Sequence, residues 1–341
     1  MMERVFNMVG VDPSSKNVKL HNTPASSDCI LDNDPVGKPK IQKWNYRSAV
    51  GCLSYIQTII RPDITMATQQ CARFCNDPRQ DHEEAVKRIC RYLLKTKAKC
   101  LVLRPDKSKG LECFVDADWA GSWRHISSND PLSRHSRTGH YITYAGCSLM
   151  WKSKLQPLIA LSTTEAEYIV LSSALREVIC IIHLLEELEQ QGFHIRKVTP
   201  KITCKTVEDN ISCIKIATSY RTRPRTKHLS LRLHHFRSHV ANKTITIEHI
   251  STKDQIAHIL TKPLPRIQFN KLCEQLMSWT SLEITREWEN LMPGKTNPTM
   301  HDQSSHGSGS VISRHLKPFI FLHIIGNKSL IVILEPLISY I

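Results

Sequence analysis

The stretch LECFVDADWAG, residues 111–121, decides the fold of this chain. Its first half, Leu111 to Asp116, is largely apolar and predicts a buried β-strand that ends in an acidic residue. An acid at the end of a buried strand either forms a turn or is placed there as a ligand. This stretch alone favours the turn as the interpretation of Asp116.

On the C-terminal side of this strand, the hydropathy pattern switches between strand and helix periods. The predicted elements are strands at 111–116, 139–144 and 148–151, a helix at 163–190, a strand at 202–207, helices at 210–217 and 229–241, a strand at 244–250 and a helix at 253–260. Three adjacent strands followed by alternation predict an α/β protein with a mixed sheet and flanking helices. This predicted unit covers residues 110–265.

The rest of the chain is expected to differ from this unit. Residues 1–45 are polar with four prolines, which is typical of a lead-in or linker, whereas residues 46–105 predict a small helical segment. Residues 280–341 read as a linker and an interrupted apolar tail, without the roughly 20 apolar residues of a membrane span. Because no signal peptide opens the chain either, we expect a cytoplasmic or nuclear protein without a membrane partner.

Composition and charge predict a folded protein that binds a polyanion. Of the 341 residues, 41% are hydrophobic and 23% are charged, which excludes wholesale disorder, collagen and coiled coil. The net charge of +15 favours nucleic acid as the partner. Twelve cysteines without a CxxC pair indicate reduced, mostly buried thiols. The weakest hypothesis is a zinc site built from Cys204, Cys213, His234, His235 and His239.

A carboxylate also falls on the inward face of the long predicted helix. At about 100° per residue, Glu167 lies at the centre of the apolar stripe, whereas Glu165 lies on the opposite, solvated face. A buried carboxylate is costly unless it is paired or binds a metal ion. The alternative is a capping box of Thr164 and Glu167 at the start of the helix. Periodicity leaves these two interpretations open.

Asp209 adds a third acid, between the strand at 202–207 and the helix from Asn210. A helix N-cap is the simpler interpretation of this residue. However, three separate elements then carry an acid at the same edge of the sheet. Clustered carboxylates repel one another unless cations neutralise them, and all-oxygen ligand sets suit Mg²⁺ or Mn²⁺. Two such ions would support phosphodiester cleavage.

Most of the positive charge lies near these acids. Residues 191–266 contain 15 Lys and Arg against 4 Asp and Glu. This basic run lies inside a folded pattern, which favours contacts with phosphates over a merely solvated face. The candidate nucleic-acid-binding residues are Arg221, Arg223, Arg225, Lys227, His228, Arg232, His235 and Arg237.

Several motifs follow one another in a recognisable order. They are FVDADWAG (114–121), SRTG (136–139), WKSK (151–154), LSTTEAEY (161–168), EDN (208–210), RTKH (225–228), HHFR (234–237) and STKDQ (251–255). Together they resemble the ribonuclease H domain of copia-type retrotransposon Pol polyproteins. Upstream, YRSAVG (46–51), RPDI (61–64) and AVKR (85–88) resemble the end of the reverse transcriptase region of the same polyproteins. The polymerase motif Tyr-x-Asp-Asp does not occur in the sequence, so no polymerase activity is expected.

The resemblance implies a ribonuclease H-like fold with a five-stranded mixed sheet and hydrolysis of the RNA strand of RNA–DNA hybrids. It implies that Asp116, Glu167 and Asp209 are catalytic and hold two Mg²⁺ ions, with Mn²⁺ as the alternative and no small-molecule cofactor. The polymerase part of a Pol polyprotein is a further expected partner. The fourth acid of the family falls at His258, whose imidazole is a poorer ligand for Mg²⁺. A catalytically impaired, nucleic-acid-binding remnant therefore stays open as the alternative function.

Overall fold

Five strands form one mixed sheet in the computed structural model, which describes residues 1–278 apart from 16–17, 28–30, 33–36, 42, 100, 107, 122–130, 194, 196–199 and 220–234. Strand β1 (Leu111–Asp118) lies in the centre, antiparallel to β2 (Arg137–Tyr144) and parallel to β4 (Cys204–Glu208). Strands β3 (Cys147–Leu155) and β5 (Ile245–His249) complete the order β3-β2-β1-β4-β5. The predicted α/β fold with a five-stranded mixed sheet is confirmed. The tail at 280–341 lies outside the described residues.

Eight α-helices are described around this sheet. They are α1 (Met2–Val9), α2 (Tyr46–Ile59), α3 (Thr65–Ala72), α4 (Gln80–Lys95), α5 (Thr163–Gln190), α6 (Ile211–Thr218), α7 (Arg237–Ala241) and α8 (Arg266–Met277), with 3₁₀ turns at Pro62–Ile64, Pro131–Arg134 and Ile256–Leu260. The last predicted helix, at 253–260, is thus the 3₁₀ turn Ile256–Leu260. The predicted basic helix at 229–241 is described only from residue 235. Helices α1 and α8 were not predicted.

Helix α5 covers one face of the sheet. Val115 of β1 and Ile142 of β2 are completely buried together with Val170, Ala174 and Val178 of α5. By length and composition α5 is also the one helix among the described residues that is apolar enough to cross a membrane, and 61% of its apolar window is buried within the protein. Its apolar character therefore has a sufficient cause in the core.

The opposite face of the sheet packs on the helical segment and on α8. Trp151 of β3 donates its indole N–H to the carbonyl of Gln57 in α2 (2.9 Å), and the Tyr141 hydroxyl donates to the carbonyl of Leu276 in α8 (3.2 Å). Helix α1, in the stretch expected to be a polar lead-in, buries Val5 and Phe6 in this same core. One hydrophobic core therefore crosses the boundary drawn from the sequence near residues 105–110.

A buried ion pair lies inside the helical segment. The Arg61 guanidinium donates to both carboxylate oxygens of Asp63 (2.8 and 2.7 Å), and the Tyr92 hydroxyl donates to Asp63 Oδ2 (2.6 Å). Both charged side chains are fully buried. Removal of one partner of such a pair would leave the other as an unpaired buried charge, which is costly. The RPDI motif therefore has a structural role here.

Candidate active site

Asp116 lies inside strand β1, not at its end. The strand continues to Asp118, and Asp116 pairs in register with Gly139 of β2. Its side chain is almost completely buried. The turn interpretation favoured by the sequence is therefore wrong, because the backbone of Asp116 is part of the β-ladder.

The simpler interpretations of Glu167 and Asp209 are wrong as well. Ser162 is the N-cap of α5, and its hydroxyl accepts the backbone N–H of Glu165 (3.2 Å), so Glu167 caps nothing. Asn210 is the N-cap of α6, and its side chain accepts the backbone N–H of Cys213. Because Ser162 and Asn210 cap α5 and α6, neither the Glu167 nor the Asp209 carboxylate is needed as a helix cap.

Asp116 meets several donors on the face of the sheet that carries the Ile256–Leu260 turn. The Thr261 hydroxyl donates to Asp116 Oδ2 in a short hydrogen bond, and Lys262 Nζ lies 3.8 Å from the same oxygen. The imidazole Nε2 of His258 lies 3.2 Å from Asp116 Oδ1 and 3.4 Å from Asp209 Oδ2. His258 therefore lies between two of the three acids that were predicted to hold metal ions.

The charges of this group influence one another. Burial alone lowers the pKa of His258, but the Asp116 and Asp209 carboxylates raise it by more, so the net pKa is above its usual value. Burial raises the pKa of Asp209, but His258 and Thr252 lower it by more, so its net pKa is below the usual value. The arrangement therefore favours a cationic His258 beside an ionised Asp209.

A second carboxylate group forms on the other face of the same sheet edge. Glu167, Glu208 and Asp209 each offer an oxygen within 4.8 Å of the other two. Burial, and then the neighbouring carboxylates, raise the pKa of Glu167 well above its usual value. Burial likewise raises the pKa of Glu208, although the backbone N–H of Asn210 donates to its Oε1 (3.0 Å). Asp209 belongs to both groups.

Glu208 was not among the predicted site residues. The predicted strand ended at Val207, whereas β4 includes Glu208, whose side chain is completely buried. Side chains alternate along a strand, so Cys204, Thr206 and Glu208 share the face that packs on α5. This alternation was the signal in the sequence that could have identified Glu208 as an inward-facing acid.

Two residues hold the turn that carries His258. The Gln255 side chain, fully buried, donates to the carbonyls of Val115 in β1 (2.9 Å) and Val207 in β4 (3.4 Å). Gly139 lets this turn approach β2, since a Cβ at this position would come within 2.5 Å of Thr261 Cγ2. The turn is thus fixed against three strands.

The predicted nucleic-acid contacts are only partly described. Arg221, Arg223, Arg225, Lys227, His228 and Arg232 lie outside the described residues. Arg237 donates to the carbonyl of Ile216 at the end of α6 (3.0 Å) and is half-buried. His235 packs edge-to-face on Phe236 and lines a cavity of about 690 Å³ with Lys152, Lys154 and Arg176. Arg237 therefore already has a structural role in joining α7 to α6.

Of the residues in the zinc hypothesis, His234 lies outside the described residues, and the described ones form no group of ligands close enough to share an ion. The sets close enough to share an ion there are Asp116, Asp209 and His258, and Glu167, Glu208 and Asp209, without a cysteine. Cys204 and Cys213 are buried in the core beneath α5. The two sets offer mainly carboxylate oxygens and could hold a metal ion.

Comparisons with known proteins agree with the motifs. No protein-family model matches the chain. It is 35% identical over 281 residues (82% of this chain) to the retrovirus-related Pol polyprotein from transposon TNT 1-94 of Nicotiana tabacum, and 34% identical over 232 residues (68%) to that from transposon RE2 of Arabidopsis thaliana. The chain spans about a fifth or less of these relatives, at 20% and 15% of their lengths.

Among solved structures, the chain is similar to the crystal structure of LC11-RNase H1 in complex with RNA/DNA hybrid. The two are 14% identical, and the match covers 44% of this chain and 93% of that chain with a TM-score of 0.27.

Proposed function

Because this chain belongs to the family of retrovirus-related Pol polyproteins of transposons, we propose that it hydrolyses the RNA strand of RNA–DNA hybrids with the help of divalent metal ions. The observation that supports the proposal best is that Asp209, directly after β4, shares one group of close ligands with Asp116 of β1 and another with Glu167 of α5. The three acids come from separate elements, and none of them serves as a cap or a turn.

The ligands at this edge fit a hard divalent cation. Asp116, Glu167 and Asp209 would hold the ions through carboxylate oxygens, the ligands that Mg²⁺ and Mn²⁺ prefer. Glu167 is buried, with only 7% of its surface exposed, yet its Oε2 atom has no hydrogen-bond partner among the described residues. When bound, the ions supply an activated water and stabilise the departing 3′ oxygen.

The residues of the chain position and balance this group. Thr261 orients the Asp116 carboxylate through its hydroxyl, and Gln255 fixes the turn that carries Thr261 to the ends of β1 and β4. Lys262, which is partly exposed beside Asp116, adds a positive charge at the rim where a phosphate of the substrate would arrive. Recognition of the hybrid would rest on its shape and 2′-hydroxyls, with the basic run at 221–237 against the backbone.

The test is cleavage of a labelled RNA–DNA hybrid by the full chain in Mg²⁺ or Mn²⁺. We expect cuts in the RNA strand of the hybrid and none in double-stranded DNA. Asp209→Asn should lower the rate by about 100-fold, because the residue belongs to both carboxylate groups. The matched control Glu248→Gln changes an exposed carboxylate of β5 that pairs with Lys205, and the rate should not change. No cleavage in either metal would overturn the proposal.

The second candidate is a nucleic-acid-binding remnant without cleavage, and the position of His258 favours it. A cationic imidazole between Asp116 and Asp209 competes with a metal ion for the same oxygens. Binding of the hybrid that weakens with salt, without any cut, would support this candidate over the nuclease.

A further inference from the structure

The carboxylates of the site divide into two groups that lie on opposite faces of the sheet edge. On the turn face, Asp116 already contacts Thr261, Lys262 and His258. On the α5 face, Glu167 and Glu208 lie beside Asp209 with their oxygens within 4.8 Å of one another. A cation that approaches the α5 face therefore meets Glu167 and Glu208, for which no contact with His258 or Lys262 is described, beside Asp209, whose Oδ2 lies 3.4 Å from His258 Nε2.

Burial makes this second group costly as it stands. Glu208 is completely buried, and Glu167 is 7% exposed. In the described part of the chain, the Oε2 atoms of both side chains lack a hydrogen-bond partner. A buried carboxylate without a partner carries a large desolvation cost, and two that lie side by side also repel each other. Either a cation or a bound proton has to offset this cost.

The chemistry of the ligands favours a cation over a proton. Three carboxylate side chains from α5, the last residue of β4 and the residue after it form an all-oxygen set of the kind that binds Mg²⁺ or Mn²⁺. Glu208 Oε1 accepts the backbone N–H of Asn210 (3.0 Å), whereas Oε2 has no hydrogen-bond partner among the described residues and is available to an ion. The ligand is therefore oriented before any ion arrives.

We propose that Glu208 is a metal ligand and that Glu167, Glu208 and Asp209 together bind one divalent cation. Glu208 lies outside the acid set that the family resemblance implies, and it supplies a negative charge where position 258 has lost one. The inference deepens the proposed function, on which it rests in so far as this ion serves hydrolysis. Binding itself is measured without any substrate.

The test is a titration of the full chain with Mn²⁺, in which electron paramagnetic resonance reports the free ion. We expect Glu208→Gln to weaken Mn²⁺ binding by about tenfold or more, because it removes a charged ligand but keeps the shape of the side chain. Glu248→Gln is the matched control, since it removes an exposed carboxylate from the neighbouring strand. Its affinity for Mn²⁺ should stay within about twofold of the wild type.

A thermal measurement separates a lost ligand from a lost fold. Without metal, Glu208→Gln should melt at a higher temperature than the wild type, because the uncharged amide avoids the cost of burying Glu208 either as a charge or with a bound proton. Mn²⁺ should then raise the melting temperature of the wild type by more than that of the variant. Equal Mn²⁺ affinity in wild type and variant, or no binding by the wild type, would overturn the inference.

The outcomes also separate this inference from the proposed function. If Mn²⁺ binding depends on Glu208 but the hybrid stays intact, the metal site stands and the nuclease proposal fails. If the hybrid is cut but Glu208→Gln binds Mn²⁺ as tightly as the wild type, the nuclease proposal stands and the inference fails.

Discussion

His258 Nε2 lies 3.2 Å from Asp116 Oδ1, and both side chains are almost completely buried. The two residues are 142 positions apart, so their contact depends on how the turn at Ile256–Leu260 packs against β1. Because position 258 carries an acid in the family that the motifs resemble, this pair replaces a repulsion between two acids by an attraction. We therefore expect the Asp116 group to be more stable without a metal ion than it would be with an acid at position 258.

His258→Asp should restore or increase cleavage of the hybrid. The substitution removes the cation between Asp116 and Asp209 and adds a carboxylate, so we expect at least about a tenfold higher rate in Mg²⁺. In EDTA the variant should melt at a lower temperature, since three acids then repel one another. His258→Asn is the control, because it removes the cation without adding a charge. Equal cleavage rates for His258→Asp and His258→Asn would contradict the expected benefit of a carboxylate at position 258.

Gly139→Ala should destabilise the protein at the site itself. A Cβ at Gly139 would lie 2.5 Å from Thr261 Cγ2 and 3.1 Å from the carbonyl oxygen of Ala257. We expect a loss of about 1–3 kcal/mol in the free energy of unfolding, measured by urea denaturation. Gly51→Ala lies in helix α2, where the new Cβ would meet no described atom within 4 Å beyond its chain neighbours and the backbone of its own helix, and should instead stabilise by about 0.5–1 kcal/mol.

Leu272→Ala should show that α8 belongs to the folded unit. Leu272 is fully buried in the core shared by the helical segment and the sheet, so the truncation should cost about 2–5 kcal/mol. Ile267→Ala on the same helix removes a side chain that is 87% exposed and should cost less than about 0.5 kcal/mol. Urea denaturation measures both changes. A loss of stability in Leu272→Ala as small as that in Ile267→Ala would mean that α8 contributes little to the core.

The stability should fall in acid because of His140. Burial, helped by nearby Lys152, lowers the pKa of His140 to about 3, and neither ring nitrogen has a hydrogen-bond partner among the described residues. The unfolded chain then binds a proton that the folded chain excludes between pH 6.5 and about 3. The contribution of neutral His140 to the free energy of unfolding is therefore complete above pH 6.5. It is lost as the pH falls, and the loss is on the order of 4 kcal/mol by pH 3.

His140→Leu isolates this effect from the other titrating groups. Lys152, opposite His140 on β3, and its partner Glu177 on α5 are unchanged in the variant. The free energy of unfolding of the variant minus that of the wild type should be constant above pH 7 and increase below pH 6.5. A difference that is independent of pH would show that His140 takes up its proton in the folded state.

The sequence predicts those parts of the site that depend on local periodicity. The helical wheel of α5 separates Glu167 from Glu165 correctly, because a helix packed on a sheet needs one continuous apolar face. The caps were harder to assign. The predicted capping box made Thr164 the N-cap of α5, whereas the N-cap in the structure is Ser162, two residues earlier. That small shift decides whether Glu167 is a cap or a buried acid.

The elements that the sequence did not predict are those stabilised mainly by distant partners. Helix α1 has only eight residues, too few to be stable alone, and depends on burying Val5 and Phe6 against the helical segment. Glu208 gains its neighbours through the parallel pairing of β4 with β1, and His258 through the packing of a turn. The alternation along β4 marks Glu208 as inward-facing, but contacts between residues far apart in the chain leave no periodic signal that names its neighbours.

The hydrogen bond from Trp151 to Gln57 connects the sheet to helix α2, across the boundary between the two halves of the chain. A substitution that loosens α2 would therefore also disturb β3 and its neighbour β2. Selection for cleavage, if it acts on the chain, consequently preserves residues of the helical half that never approach the acids.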